Sequence, residues 1–244
     1  MALITSGDAK TSKGEDMGYI TGILYMVPDK KLCPFSSKGC FKACLNTAGR
    51  GAMNSVQYAR QKRADLWHKS KEAFCIMLSE EIEKLDRKAK RKGVKLCIRL
   101  NGTSDIVWEQ VRQFDGKNVF DAYPHIQFYD YTPNYMRFRA AHYEKNIPAN
   151  YHMTFSLKED NKEHALNVLS QGHNVAVVFR DELPDYWQGK RVINGDKHDL
   201  RFLDGENVVI GLKAKGKARK DTSGFVQDGK IIEKYEPMMQ GVMA

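Results

Sequence analysis

No apolar run in this 244-residue chain approaches the roughly 18–20 residues that a membrane span requires. Residues 1–16 are polar and mixed in charge, so they lack the apolar region of a signal peptide. No G-x-G-x-x-G or Walker-type loop follows an apolar run, which argues against an open, nucleotide-binding doubly wound sheet. Internal repeats and low-complexity tracts are missing too. Cysteine is scarce, five in all. None of the five forms a C-x-x-C pair, so a paired zinc ribbon is excluded. Together these absences predict a cytoplasmic protein, a compartment where clustered cysteines serve metal or redox chemistry rather than disulfides.

What is present fits one large α/β domain. Hydrophobic residues make up 42% of the chain and charged residues 28%, enough for a sizeable core under a polar surface. The formal net charge of +9 points to an anionic partner, or to a basic enzyme with no such partner. Residues 1–16 read as a flexible N-terminal arm and 17–244 as a single domain. Apolar runs at 17–27, 94–100, 125–131, 151–156 and 174–179 read as strands, with shorter candidates at 192–193 and 208–212. A final hairpin is expected from 225–226 and 231–235 around Asp228-Gly229. Leu66, Trp67, Phe74, Met77, Leu78, Ile82 and Leu85 recur at three- and four-residue steps, predicting a long helix over 51–92 that Gly93 stops. Ser104 or Asp105 could cap a helix running to about 120, and 159–171 reads as helical. Strand–helix alternation predicts a partial or complete (β/α) barrel or an open sheet, with chemistry in the loops at the strands' C-terminal ends. The cysteine loop, 101–105, 130–132, Ser156 and 180–181 would gather there.

The most informative segment is Cys33-Pro34-Phe35-Ser36-Ser37-Lys38-Gly39-Cys40-Phe41-Lys42-Ala43-Cys44. Three thiolates from one loop can hold three corners of an iron–sulfur cluster and leave the fourth iron open. A zinc site would need a remote fourth ligand, for instance His68, His152 or Cys97, and plain structural or free thiols are the third option. Cys75 and Cys97 sit in apolar patterns as buried fillers.

Other residues carry weaker signals. Asp105, Asp130 and Asp196-Lys197-His198-Asp199 could converge on Mg²⁺ or Mn²⁺ for phosphodiester hydrolysis, or serve merely as cap and turn residues. In the basic loop 213–220, Lys213, Lys215 and Lys217 alternate, so an extended chain would point them to one side towards phosphate; a solvated loop is the plain alternative. Tyr129, Tyr131, Tyr135, Phe138 and Tyr143 could stack bases or fill the core.

The run from Cys33-Pro34 through Cys44-Leu45-Asn46-Thr47-Ala48-Gly49-Arg50-Gly51 resembles a family of uncharacterised bacteriophage proteins. So do Arg99-Leu100-Asn101-Gly102-Thr103-Ser104-Asp105, Gln127-Phe128-Tyr129-Asp130-Tyr131-Thr132 and Gly211-Leu212-Lys213-Ala214-Lys215-Gly216-Lys217-Ala218. More distantly, the order strand, three-cysteine loop, helix, further βα units is similar to radical S-adenosylmethionine enzymes. That similarity implies a radical-SAM-like barrel with a [4Fe–4S] cluster on Cys33, Cys40 and Cys44. S-adenosylmethionine would sit on the open iron, with Gly102, Ser104 and Asp105 holding it. Lys213, Lys215 and Lys217 would bind anionic parts of cofactor or substrate, and Asp130 and Ser156 are the catalytic candidates. The cysteine spacing is wider than that superfamily's, no aromatic residue precedes Cys44, and a Gly-Gly-Glu motif is absent. The resulting expectation is a phage-encoded radical enzyme in the cytoplasm of the infected host, reduced by a host electron donor and acting on a phosphate-bearing substrate. The alternatives are a nucleic-acid-binding protein or metal-dependent nuclease with structural cysteines, and a non-catalytic inhibitor of a host factor.

Overall fold

The structure is a computed structural model that describes residues 1–6, 12–144 and 147–229. Nine strands form one sheet: β1 (Ile4–Thr5), β2 (Tyr19–Leu24), β3 (Lys95–Arg99), β4 (Gln127–Thr132), β5 (Tyr151–Ser156), β6 (Val175–Phe179), β7 (Tyr186–Trp187), β8 (Lys190–Asn194) and β9 (Val209–Lys213). Their order is β1-β2-β3-β4-β5-β6-β9-β8-β7. From β2 to β6 the sheet is parallel and follows the chain, and β9 and β8 continue it in parallel. β1 and β7 are antiparallel edges. Each edge has a single neighbour, so the described residues do not close a barrel.

Six α-helices accompany the sheet among the described residues: α1 (Lys38–Lys42), α2 (Asn54–Lys69), α3 (Lys71–Lys92), α4 (Val119–Ala122), α5 (Tyr135–Tyr143) and α6 (Lys162–Ser170). Alternation along the strands divides the core between two faces. Leu96, Ile98, Phe128, Met153, Phe155, Val177 and Val209 pack with Trp67, Phe74, Leu78, Ile82, Phe138 and Val168 from the helices. On the opposite face, Cys97 and Tyr129 meet Leu200, with Tyr19 and Phe202 against them. Leu200 and Phe202 come from the β8–β9 connection. Tyr129, Phe155 and Val177 are fully buried, as strands covered on both faces require.

Several expectations change in the structure. The helix predicted over 51–92 is two helices, because Ser70 takes an extended conformation and caps α3 through Ala73 N–H to Ser70 Oγ at 3.1 Å. Gly93 ends α3 with φ 67°, its N–H returning to Ala89 and Lys90 carbonyls. The α-helix expected from Ser104 or Asp105 to about 120 does not form; a short 3₁₀ turn, Trp108–Gln110, stands there instead. The Asp105 N–H donates to Leu32 O and its carboxylate pairs with Arg137, leaving neither free to start a helix. A turn at Asp115 (φ 52°) and Gly116 (φ 75°) then interrupts the segment, and Asn118 caps the short α4 instead. Part of the expected arm belongs to the sheet, since Ile4–Thr5 pairs with β2 and Leu3 is fully buried. Phe225–Val226 is not a hairpin strand: the neighbouring Gln227 bridges in parallel to Phe179. Residues 231–235 lie outside the described residues.

Candidate functional site

The parallel strands deliver their C-terminal ends to one edge, where a cleft of ≈ 1210 Å³, counted to its open mouth, is lined by all three cysteines of the loop. The same cleft touches Arg99 on β3, Tyr131 on β4, Ser156 on β5, Ala176 and Val178 on β6, and Leu212 on β9. The cleft thus spans the edge from β3 to β9, four ladder steps of the sheet.

The cysteine loop is held from two sides. Leu32 O accepts from Asp105 N–H at 2.8 Å, and the Cys33 thiol donates to Thr103 O at 3.6 Å. Thr103 Oγ1 bonds Met26 at both O (2.6 Å) and N (3.1 Å), tying the 101–105 turn to the chain entering the loop. At the other side, Glu159 accepts from Gly39 N–H and from Ser37 Oγ, each at 2.6 Å. A Cβ on Gly39 would stand 2.1 Å from Ser223 Oγ and 2.7 Å from the Glu159 carboxylate, so this clamp requires glycine. Beyond the loop, Arg60 donates to Asn46 O at 2.7 Å, and Asn46 N–H points at Cys44 Sγ at 3.4 Å.

All five cysteines are free thiols. Burial, then the neighbouring Cys44, Asp105 and Cys40, push the Cys33 thiol up. Burial, then Cys44 and Glu159, push Cys40 up to about 12 despite Lys158. Burial also raises Cys44, against the Asn46 N–H and Arg60. The protein alone therefore keeps these thiols protonated at neutral pH, and a metal binding here must displace their protons. Among the described residues, no three His, Cys, Asp or Glu side chains surround a single-ion position.

Gly102, Ser104 and Asp105 all line the cleft. Gly102 sits so close to the end of β2 that a Cβ would meet Leu24 O at 2.6 Å. Ser104 Oγ donates to Asn101 Oδ1 at 2.8 Å. Asp105 Oδ1 takes a hydrogen bond from Arg137 Nη1 at 2.9 Å, while Oδ2 is buried without a partner. Burial raises the Asp105 carboxyl, with Arg137 opposing. Arg137 also binds Glu109 (2.8 Å) and Tyr151 Oη (2.9 Å), and Tyr151 Oη donates to Asp130 at 3.2 Å. Removing one member of such a buried ion network costs about 3–5 kcal/mol.

Asp130 does not reach the cleft. It lies on the helix-facing side of β4, accepting from Asn101 N–H at 2.7 Å. Strand alternation sends Tyr131, not Asp130, into the cleft. Ser156 lines it. Lys213 and Lys215 do as well, Lys215 Nζ pairing with Asp196 at 2.6 Å. Lys217 does not share their side, because Gly216 (φ 55°) turns the chain into the 3₁₀ segment Gly216–Lys220. It lines a second groove with Lys42, Lys220, Phe41 and Cys44. The carboxylates do not converge: Asp105 is with Arg137, Asp196 with Lys215, and Asp199 with Arg99 and Tyr129. Of the five aromatics considered for stacking, Tyr129 and Phe138 are core, Tyr135 stacks on His164, Tyr143 lies against His173, and Tyr131 faces the cleft.

Arg99, Arg137 and Glu159 escaped the reading of the sequence as site residues. Arg99 had a legible signal: a cation ending the apolar strand Lys95–Arg99 in the register of Cys97. Arg137 and Glu159 act across 32 and 120 residues of chain, and no local pattern marks them.

No helix of the described residues is long and apolar enough to cross a membrane. No curated protein and no solved structure matches the chain. A family model described as Gene product 88 matches residues 2–229, in keeping with the resemblance to phage proteins. The match spans the sheet, the cysteine loop and the basic loop together, and the chain belongs to the Gene product 88 family.

Proposed function

We propose that Cys33, Cys40 and Cys44 hold a [4Fe–4S] cluster and that the cleft beside them is the reaction chamber of a radical S-adenosylmethionine-like enzyme. The observation that carries this reading is the convergence of three free thiols from one loop on a cleft at the C-terminal edge of a parallel sheet. A cluster takes each cysteine on a separate iron, so it does not need the single-point geometry of zinc. The sheet order, monotonic from β2 to β6, suits a partial barrel with its chemistry at that edge.

When bound, the cluster with S-adenosylmethionine on its open iron supplies one-electron reductive chemistry. This chain's residues orient and enclose it. Glu159 fixes the loop, and the Asn46 N–H steadies the Cys44 sulfur. Gly102 allows the turn to approach, while Ser104 and Asp105, which line the cleft, would meet a cofactor amino group. Asp130 serves as a positioning residue, setting that turn through Asn101. Lys213 and Lys215 would meet anionic groups at the rim, and Ser156 lines the same cleft from β5. The donor would be an electron carrier of the infected host's cytoplasm.

Purification without oxygen tests this. The expected result is brown protein carrying about four irons and acid-labile sulfide, with both lost in C33A/C40A/C44A. Colourless, iron-free protein after anaerobic reconstitution refutes it.

The second groove favours one other reading, a nucleic-acid-binding surface with structural cysteines. Lys42, Lys217 and Lys220 line that groove beside Phe41, which is 45% exposed. The dispersal of Asp105, Asp130, Asp196 and Asp199 gives no support to a metal-dependent nuclease.

A further inference from the structure

The floor of the cleft carries a cation that the proposed cluster does not use. Arg99 ends β3 with its side chain 12% exposed, and its guanidinium lies 4.4 Å over the Tyr131 ring. Burial opposes its charge, but Asp199 and the surrounding tyrosine hydroxyls outweigh burial and hold it above the ordinary range. Asp199 also takes a hydrogen bond from Tyr129 Oη at 3.1 Å. One nitrogen of Arg99 is engaged, Nη1 with Asp199 at 3.2 Å. Nε is buried without any acceptor. A buried N–H left unpaired is costly, and a guanidinium's Nε–Nη2 edge presents two parallel donors that match the two oxygens of an oxyanion.

The surroundings complete a site. Ala176, Val178 and Leu212 form an apolar wall, and Lys213 stands at the rim. The two carboxylates lining the cleft, Asp105 and Asp196, already face Arg137 and Lys215. Asp199 offsets Arg99 from behind, so an incoming anion would be drawn by the hydrogen-bonding edge of Arg99 and by Lys213 rather than by an unopposed charge.

We propose that the Arg99 edge is an oxyanion-binding subsite for the carboxylate or phosphate of a small substrate with an apolar body. The subsite names the substrate class of the proposed reaction chamber and rests on that reading only for its role in turnover; the binding itself needs no cluster.

The test is titration of the full chain, with and without reconstituted iron, using benzoate, phenyl phosphate and benzyl alcohol as probes. Calorimetry and the Arg99 Nε–Hε nuclear magnetic resonance signal are the readouts. Benzoate or phenyl phosphate should bind and shift that signal, while benzyl alcohol should do neither. R99K keeps a cation for Asp199 and loses the fork, so it should weaken the oxyanion at least tenfold, whereas K213Q should weaken it less. The tighter of benzoate and phenyl phosphate identifies the oxyanion as carboxylate or phosphate, and failure of both to bind would overturn the subsite. So would binding of the tighter oxyanion no stronger than that of benzyl alcohol, unchanged affinity in R99K, or no shift in the wild-type signal at saturation. The wild-type comparison stands even if R99K does not fold. Because iron content is measured separately, loss of the cluster reading and loss of this subsite are distinguishable.

Discussion

Asp130 shows how a catalytic-looking residue becomes a structural one. It is fully buried, and burial pushes its carboxyl up to about 7, against the hydrogen bond from Asn101. A carboxyl whose folded value lies above its unfolded value of about 3.9 favours the folded state most at low pH. That contribution is lost as pH rises towards 7. D130N keeps an oxygen for the Asn101 N–H and removes the titration. Wild-type stability relative to D130N should therefore fall between pH 5 and pH 8, by more than about 1 kcal/mol, as read from urea midpoints at the two values. Parallel profiles would disprove the assignment. His142 and His152, which burial lowers to about 4, act with the opposite sign: their contribution is lost as pH falls below their unfolded value of about 6.5. The comparison with D130N cancels them.

At the scale of elements, the legible parts were those with strong local patterns. The strand at 151–156 coincides with β5, those at 94–100, 125–131 and 174–179 shift by a residue or two, and 17–27 shortens to β2 by two residues at its start and three at its end. The cysteine loop, the 101–105 turn, Ser156, Lys213 and Lys215 do meet at one edge, because parallel strands must deliver their following loops to the same side. The illegible parts depend on partners distant in sequence. The side chain of Asp105 suited a helix cap until Arg137 claimed it, and lysine alternation held only as far as Gly216. The α2–α3 break was hidden because the apolar stripe runs through it. Ser70 is its one local marker, and S70A should cost about 1 kcal/mol in chemical denaturation and raise hydrogen exchange in the first turn of α3. An unchanged midpoint would mean that packing of Phe74 alone sets the start of that helix.

At the scale of the molecule, the net charge of +9 is not spread evenly in its consequences. Asp196 offsets Lys215 at the cleft, whereas Lys42, Lys217 and Lys220 share the second groove with Asp221 as the nearby acid. If the groove binds nucleic acid, K42E/K217E/K220E should abolish binding to single-stranded DNA. The wild type should show a slope of log affinity against log salt of about −2 for three phosphate contacts. No measurable binding at low salt by the wild type would leave these lysines as solvated surface. The order of strands has a further consequence for how such a molecule is made. The cysteines emerge early in synthesis, yet the cleft they line also needs Leu212 and Lys213 of β9, the strand paired between β6 and β8. Its lining runs on to Ala218 and Phe225, beyond that strand. The three thiols therefore gain their full surroundings only when the segment following β9 has been made.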